Sequence, residues 1–138
     1  MADIFTTEAR SKIMGLVHGR NTRPEMYIRK VLHAFGYRFR LHRKDLPGRP
    51  DIVLPRYRIA VFVHGCFWHG HDCKRGKRPT TNIDFWTKKL DGNIERDKKN
   101  RKLLQETGWG VVVIWQCCLK ADTERLLNSL AELRIKAG

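Results

Sequence analysis

Residues 51–73 read "DIVLPRYRIAVFVHGCFWHGHDC", and this stretch decides the fold. Two apolar runs, "DIVL" at 51–54 and "RIAVFVH" at 58–64, are divided by "PRY", which reads as a turn between two strands. If the turn centres near Arg56 and Tyr57, Asp51 falls opposite Phe62 and Val63. Directly after the second strand come His69, His71, Cys66, Cys73 and the bare pair Phe67-Trp68. A strand that opens into so many metal-capable groups beside two aromatics predicts a functional loop at the end of a sheet.

The flanking segments supply the rest of the architecture. "TTEARSKIMGLVHG" (6–19) reads as a short helix ended by Gly19. "TRPE" then starts a second helix, with Thr22 as cap, Pro24 in the first turn and Glu25 three residues after the cap. Ile28, Val31, Leu32 and Phe35 give it an apolar face, and Gly36 ends it. "YRFRLH" (37–42) alternates like a half-buried strand. A long helix is expected from about Asn82 to Thr107, with Trp86, Leu90 and Ile94 spaced four apart. "GVVVIW" (110–115) is a continuous apolar run, the pattern of a strand buried on both faces. "DTERLLNSLAELRI" (122–135) closes the chain as an amphipathic helix. The order predicts one α/β domain over residues 1–138, a mixed sheet covered by helices.

Composition bounds the function. The chain has 138 residues, enough for one domain with a real core, and a net charge of +14. Basic residues concentrate in "CKRGKRP" (73–79) and "RDKKNRK" (96–102), which predicts a polyanionic partner, nucleic acid before others. No stretch approaches the ~20 apolar residues of a membrane span, and "MADIFTTEAR" lacks a signal-peptide core. A cytoplasmic setting follows as an expectation, and Cys66, Cys73, Cys117 and Cys118 read as ligands or core residues before disulfides.

Asp51, at the mouth of its strand, is a candidate Mg²⁺ ligand, since this ion binds through one or two protein oxygens plus phosphate. The bland alternative is an Asp that caps the turn after Pro50. Glu25 can approach Asp51 from the helix edge, although a capping box also accounts for it. Cys66, His71 and Cys73 can supply three ligands of a tetrahedral zinc, with the fourth from Cys117 or Cys118. Four ligands would make a structural site; a catalytic zinc involving His69, or free buried cysteines with incidental histidines, are the alternatives. His64 and His69 then stay near Asp51, where a neutral imidazole is a suitable general base. Phe67 and Trp68 sit where core packing is hard to arrange, and exposed aromatics on a basic protein can stack on bases or wedge between them. Trp86 reads either as such an aromatic or as part of a core stripe.

Together, "LPGRPDIVL", "VFVHGCFWHGHDC", "FWTKKLDGNIERD" and "GWGVVVIWQC" resemble the very-short-patch repair (Vsr) mismatch endonucleases over nearly the whole chain, from "EARSK" through Cys117. The resemblance implies a restriction-endonuclease-like fold with a structural zinc site, and residues 1–20 as a DNA-contacting helical segment. It implies Mg²⁺-dependent nicking of one DNA strand 5′ of the thymine in a T·G mismatch left by 5-methylcytosine deamination. The partner would be double-stranded DNA with the T·G mismatch, bound by a bacterial cytoplasmic monomer that is nucleoid-associated in use, with other repair proteins as candidate transient contacts. Carried over by residue, Asp51 is the metal carboxylate and His69 the general base, supported by Glu25 and His64. Val63, usually Thr in the family, would offer only its backbone carbonyl to Mg²⁺. Cys66, His71, Cys73 and Cys117 match the Zn²⁺ ligands. Phe67, Trp68 and Trp86 match the wedging aromatics, and Met14, Lys89 and Asn93 match positions near the mismatched bases. Gln116, where Glu is commoner, and a short C-terminus depart from the pattern. The rival readings are a sequence-specific restriction endonuclease of the same fold and a non-catalytic zinc-stabilised DNA-binding module.

Overall fold

The computed structural model describes residues 22–137; the expected helix at 6–19 and Met14 lie outside them. Helix α1 spans Arg23–Ala34, followed by strands β1 (Arg40–Leu41), β2 (Ile52–Leu54) and β3 (Ile59–His64). Helix α2 spans Ile83–Glu106, strand β4 Gly110–Trp115 and helix α3 Leu119–Ala137. The four strands form one mixed sheet in the order β1-β2-β3-β4, with β3 and β4 parallel and the other pairs antiparallel.

The hairpin takes the expected register. Ile52 pairs with Val61 across the sheet, which sets Asp51 beside Phe62 and Val63. Pro55–Tyr57 form a tight 3₁₀ turn, closed by Arg58 in the left-handed region at φ 52°. Side chains alternate between the faces. Ile52, Leu54, Ile59, Val61 and Ile114 join Ile28 and Leu32 of α1 and Leu126 and Leu130 of α3 in one buried core. Asp51, Phe62, His64, Val111 and Val113 belong to the other face, which α2 covers. The described residues therefore form three layers, with α1 and α3 on one side of the sheet and α2 on the other.

Helix α1 starts as its sequence dictates. Thr22 is the N-cap, its side chain accepting from the Glu25 N–H at 3.4 Å, with Pro24 in the first turn. Phe35, expected on the buried face, is 60% exposed, because the helix ends there and Phe35 itself is the C-cap. The strand expected over 37–42 shrinks to Arg40–Leu41, since His42 takes φ 48° and turns the chain away. Strand β4 is not buried on both faces; Ile114 alone in it is fully buried. It lies at an edge of the sheet, where a continuous apolar run is covered only in part by α2 and α3. The closing helix begins three residues before the expected Asp122. Asp122 accepts from the Trp115 N–H at 3.0 Å and ties the end of β4 to α3.

Candidate active site and metal centre

The parallel register of β3 and β4 assembles the cysteine cluster. His64 pairs with Trp115, so the chain positions two residues further on, Cys66 and Cys117, leave the sheet side by side. The loop after Cys66 folds back on itself through the His71 N–H to the Cys66 carbonyl (2.9 Å) and the Gly76 N–H to the Cys73 carbonyl (3.0 Å). A Cβ at Gly76 would lie 1.9 Å from the His71 carbonyl oxygen, so the fold of this loop requires glycine there. The His71 ring stacks on Trp115 with centroids 4.1 Å apart.

Ligand atoms of Cys66, His71, Cys73 and Cys117 all lie within 4.8 Å of one another, so these four can hold a metal ion. Sulfur ligands about 2.3 Å from a tetrahedral zinc are themselves about 3.8 Å apart, and the cluster fits that size. Its chemistry fits too. Desolvation raises the Cys66 thiol, and desolvation with hydrogen bonds from Cys118, Cys66 and Cys73 pushes Cys117 up to about 12. At Cys73 desolvation also acts upward, but hydrogen bonds from His71 and backbone N–H groups outweigh it and bring the thiol to about 7. Three crowded thiols do not all ionise unaided; a bound cation is what permits it. Cys118 stays outside the set, its sulfur 3.5 Å from that of Cys117.

Between α2 and the second face of the sheet lies a cleft of about 400 Å³, lined among others by Asp51, His64, Trp68, His69, Asn93 and Asp97. Asp51 Oδ2 accepts from the Val63 N–H at 2.7 Å. In a strand the N–H and C=O of one residue point to the same side, so the Val63 carbonyl also faces the Asp51 edge. The Val63 side chain packs towards the core on the opposite face. Burial raises Asp51 to about 6, the Val63 N–H acting against this and the Glu25 carboxylate adding to it. A carboxylate that is costly to ionise and open to a cleft suits a cation ligand.

His64 and His69 stack face to face with centroids 3.7 Å apart and planes 3° from parallel. His64 is buried, and desolvation, followed by the nearby His69, lowers it to about 3, so it stays neutral. Among the described residues its Nδ1 has no hydrogen-bond partner. His69 Nδ1 lies 2.6 Å from Asp97 Oδ2. Helix α2 also holds the loop through Asn93 Nδ2, which donates to the Trp68 carbonyl at 2.9 Å. Lys89, Asn93, Asp97 and Asn100 recur at helical spacing along the face that lines the cleft.

Glu25 proves to be 1% exposed, and its carboxylate turns to Arg29 and His42, while the cap bond at Thr22 is made by its backbone N–H. Its Oε2 pairs with Arg29 and its Oε1 lies 2.9 Å from His42 Nε2. At the rim, Phe67, Trp68 and Trp86 form a contiguous aromatic cluster with centroids 5.0 to 6.0 Å apart. Trp86 thus leaves the core stripe to Leu90, which is fully buried. Asp97, His42, Arg29 and the exposed Phe85, in edge contact with Trp86 at 5.1 Å, were not singled out by sequence. Asp97 carried one usable signal, lying four residues after Asn93 on the same helix face.

Asp51 gives a stability prediction. Its folded value lies above the ordinary 3.8, so its contribution is complete below that pH and is lost as pH rises through about 6. At pH 7, without a divalent cation, the cost is about 3 kcal/mol. Asp51→Asn is therefore expected to stabilise the Mg²⁺-free protein at pH 7.5 by up to about 3 kcal/mol in urea denaturation, with a smaller gain at pH 4.5.

A carboxylate, a carboxylate-paired histidine and a basic helix line one cleft, a set of groups chemically suited to the hydrolysis of a phosphodiester. Comparison with known proteins narrows it. Residues 2–75 match the family model for the DNA mismatch endonuclease Vsr. The chain is 51% identical over 133 residues to the type II nicking enzyme V.XorIIP of Xanthomonas oryzae pv. oryzae, covering 94% of this chain and 98% of that enzyme. It is 45% identical over 137 residues to the type II nicking enzyme V.NmeAIP of Neisseria meningitidis, with 97% and 98% covered. It is 40% identical over 132 residues to the DNA mismatch endonuclease Vsr of Escherichia coli, with 96% and 85% covered. The chain belongs to the Vsr family of DNA mismatch endonucleases and is a DNA endonuclease. Among the described residues, no helix is long and apolar enough to cross a membrane.

Proposed function

We propose that this protein nicks one strand of duplex DNA 5′ of the thymine in a T·G mismatch, by Mg²⁺-dependent hydrolysis on a restriction-endonuclease-like fold. The observation that carries the reading is the single cleft in which Asp51 faces the His64–His69 stack, with the aromatic cluster at its rim. Asp51 and the Val63 carbonyl would hold Mg²⁺, which supplies charge stabilisation for the scissile phosphate. His69 takes the proton of the attacking water at Nε2. Asp97 accepts the Nδ1–H and so selects that tautomer, and neutral His64 backs the ring by stacking. Glu25, through the Asp51 carboxylate, helps set the charge of the site. Cys66, His71, Cys73 and Cys117 would hold a structural Zn²⁺, whose part is to fix the loop that carries Phe67, Trp68 and His69. Lys89 and Asn93 line the cleft near the expected position of the mismatched bases.

Selectivity comes from the cost of opening the stack, a few kcal/mol in paired DNA and less at a mismatch. Phe67 and Trp68 supply the insertion that the mismatch makes cheaper. Trp68→Ala is expected to weaken T·G binding by about 1–3 kcal/mol, roughly 5- to 150-fold, with little change in non-specific duplex affinity, measured by paired binding isotherms at one salt concentration.

The test is an end-labelled duplex carrying one T·G mismatch in varied flanking contexts, with and without Mg²⁺. A single Mg²⁺-dependent nick 5′ of the T, absent from the T·A control, supports the reading. Cleavage of both strands of the matched control would favour a restriction endonuclease. Binding without a nick in any context would favour a zinc-stabilised DNA-binding module.

A further inference from the structure

A second concave site lies at the other end of the β2–β3 hairpin from Asp51, and the nicking mechanism does not use it. It is a groove of about 570 Å³ between the end of α1, the segment 37–40, the Pro55–Tyr57 turn and the last turn of α3. Arg38, Arg40, Arg56 and Arg134 line it, and among the described residues no carboxylate does. Nor is any of these four guanidiniums paired with an Asp or Glu among the described residues, although the ion pairs elsewhere engage Arg29, Arg43, Arg78 and Arg125.

The groove is built on an aromatic floor. The guanidinium carbon of Arg134 stands 4.4 Å from the centre of the Tyr37 ring, and that of Arg56 stands 5.7 Å from the centre of the Tyr57 ring. The two tyrosine rings meet edge to face at 5.8 Å, so both cation–ring pairs belong to one cluster. Tyr37 is part of the buried core, and Tyr57 and Phe39 pack against it while staying half-buried. The core thus fixes the floor, and the arginines surround it. Like charges gathered around one groove repel, and a bound anion relieves that repulsion. Guanidiniums take a phosphate through paired N–H donors, a geometry that the ammonium of lysine lacks.

We propose that this groove is a second nucleic-acid site, which takes single-stranded DNA with its phosphates on the four arginines and its bases against Tyr57 and Phe39. Cations interleaved with aromatic faces are the chemistry of single-strand binding, and "YRFR" at 37–40 alternates the two in the segment that leads into β1. A duplex keeps its bases paired inward, so it would offer the groove phosphates alone and leave the rings unused. The groove is also separate from the cleft. Asp51 and Pro55 are four residues apart, roughly 13 Å of extended chain. The cleft opens on the face that α2 covers, whereas the rings of the groove pack on the core shared with α1 and α3. Opposite ends and opposite faces of the sheet allow both sites to be filled at once. The inference goes beyond the nicking reading and does not depend on which mismatch the cleft prefers.

The experiment is binding of a short fluorescent oligothymidylate to the zinc-loaded protein, followed by anisotropy in Mg²⁺-free buffer with unlabelled T·G duplex saturating the cleft. The oligothymidylate should still bind. Replacing two arginines together, Arg38→Ala with Arg56→Ala, is expected to weaken it about tenfold. The slope of log affinity against log salt should fall by about 1.4, at about 0.7 for each lost phosphate contact, while T·G duplex affinity and nicking stay within about twofold. Unchanged oligothymidylate affinity in the double variant overturns the proposal. So does loss of the oligothymidylate when duplex fills the cleft, since single strands would then bind in the cleft itself. A measurement on the unaltered protein stands beside these: an oligothymidylate carrying 5-iodouracil, photocrosslinked under the same conditions, should label Tyr57 or Phe39. Labels confined to Phe67, Trp68 and Trp86 overturn the proposal. Equal displacement of the oligothymidylate by an oligoglutamate of the same charge overturns the nucleic-acid assignment, in favour of an acidic protein partner. Failure of the nicking reading is seen separately, as no Mg²⁺-dependent nick by the unaltered protein, whereas failure of this site leaves that nick in place.

Discussion

Replacing His69 by alanine is expected to slow nicking at a T·G mismatch by about 10²- to 10⁴-fold, the range for loss of a general base. Mismatch binding should stay within about twofold, because the aromatic cluster and the basic cleft lining do not depend on the imidazole. The argument turns on which ring nitrogen is free. Asp97 Oδ2 sits 2.6 Å from Nδ1, which leaves Nε2 as the nitrogen that can receive a proton. His64 cannot stand in readily, since it is buried, and lowered to about 3. Single-turnover nicking with excess enzyme separates the chemical step from binding. Asp97→Asn is expected to cost less, about tenfold to a hundredfold, and to alter the pH–rate profile, since it changes the tautomer balance without removing the base. A His69→Ala protein that nicks at the normal rate would remove His69 from the mechanism.

Removal of one cysteine of the proposed zinc set is the second large effect expected. Structural zinc contributes about 10–16 kcal/mol of apparent binding energy in small zinc domains, or about 2.5–4 kcal/mol for each of four ligands. Cys66→Ser is thus expected to weaken zinc binding by about 10²- to 10³-fold. Cys66 is completely buried at the base of the loop, so the metal-free loop loses its anchor as well as its ion. The melting temperature should fall by about 10 °C, on the scale of a few degrees per kcal/mol for a domain of this size. Zinc content after dialysis and a thermal melt check the two parts. Cys118→Ser, one residue away and outside the ligand set, is the control and should retain zinc. Zinc retained equally by both variants would exclude the four-ligand assignment.

These expectations differ in where they come from. The β2–β3 hairpin was legible in residues 51–64, because alternation and turn chemistry are local and one register buries Ile52, Leu54 and Val61 together. The limits of α1 and α2 were legible within a residue or so, since Thr22, Pro24 and the four-residue spacing act within one turn. Local pattern misjudged the margins. Phe35 continues an apolar stripe past the point where its helix stops, and "GVVVIW" promises a central strand but lies at a sheet edge.

The candidate site divides in the same way. The sequence by itself determined which residue types were available: a strand-end carboxylate, a histidine-rich loop, four thiols and a basic long helix. It also placed Asp51 opposite Phe62 and Val63, because that pairing follows from one hairpin. Whether Cys117 or Cys118 joins Cys66 was open in the sequence, since neighbouring residues point to opposite sides. The tertiary structure decided it by setting His64 against Trp115, so that equal offsets along two parallel strands bring Cys66 and Cys117 together. It likewise brought Asp97 to His69 across 28 residues and His42 to Glu25 across 17. Such contacts depend on how α2 and α1 dock on the two faces of the sheet, and docking is set by the whole core rather than by any local pattern.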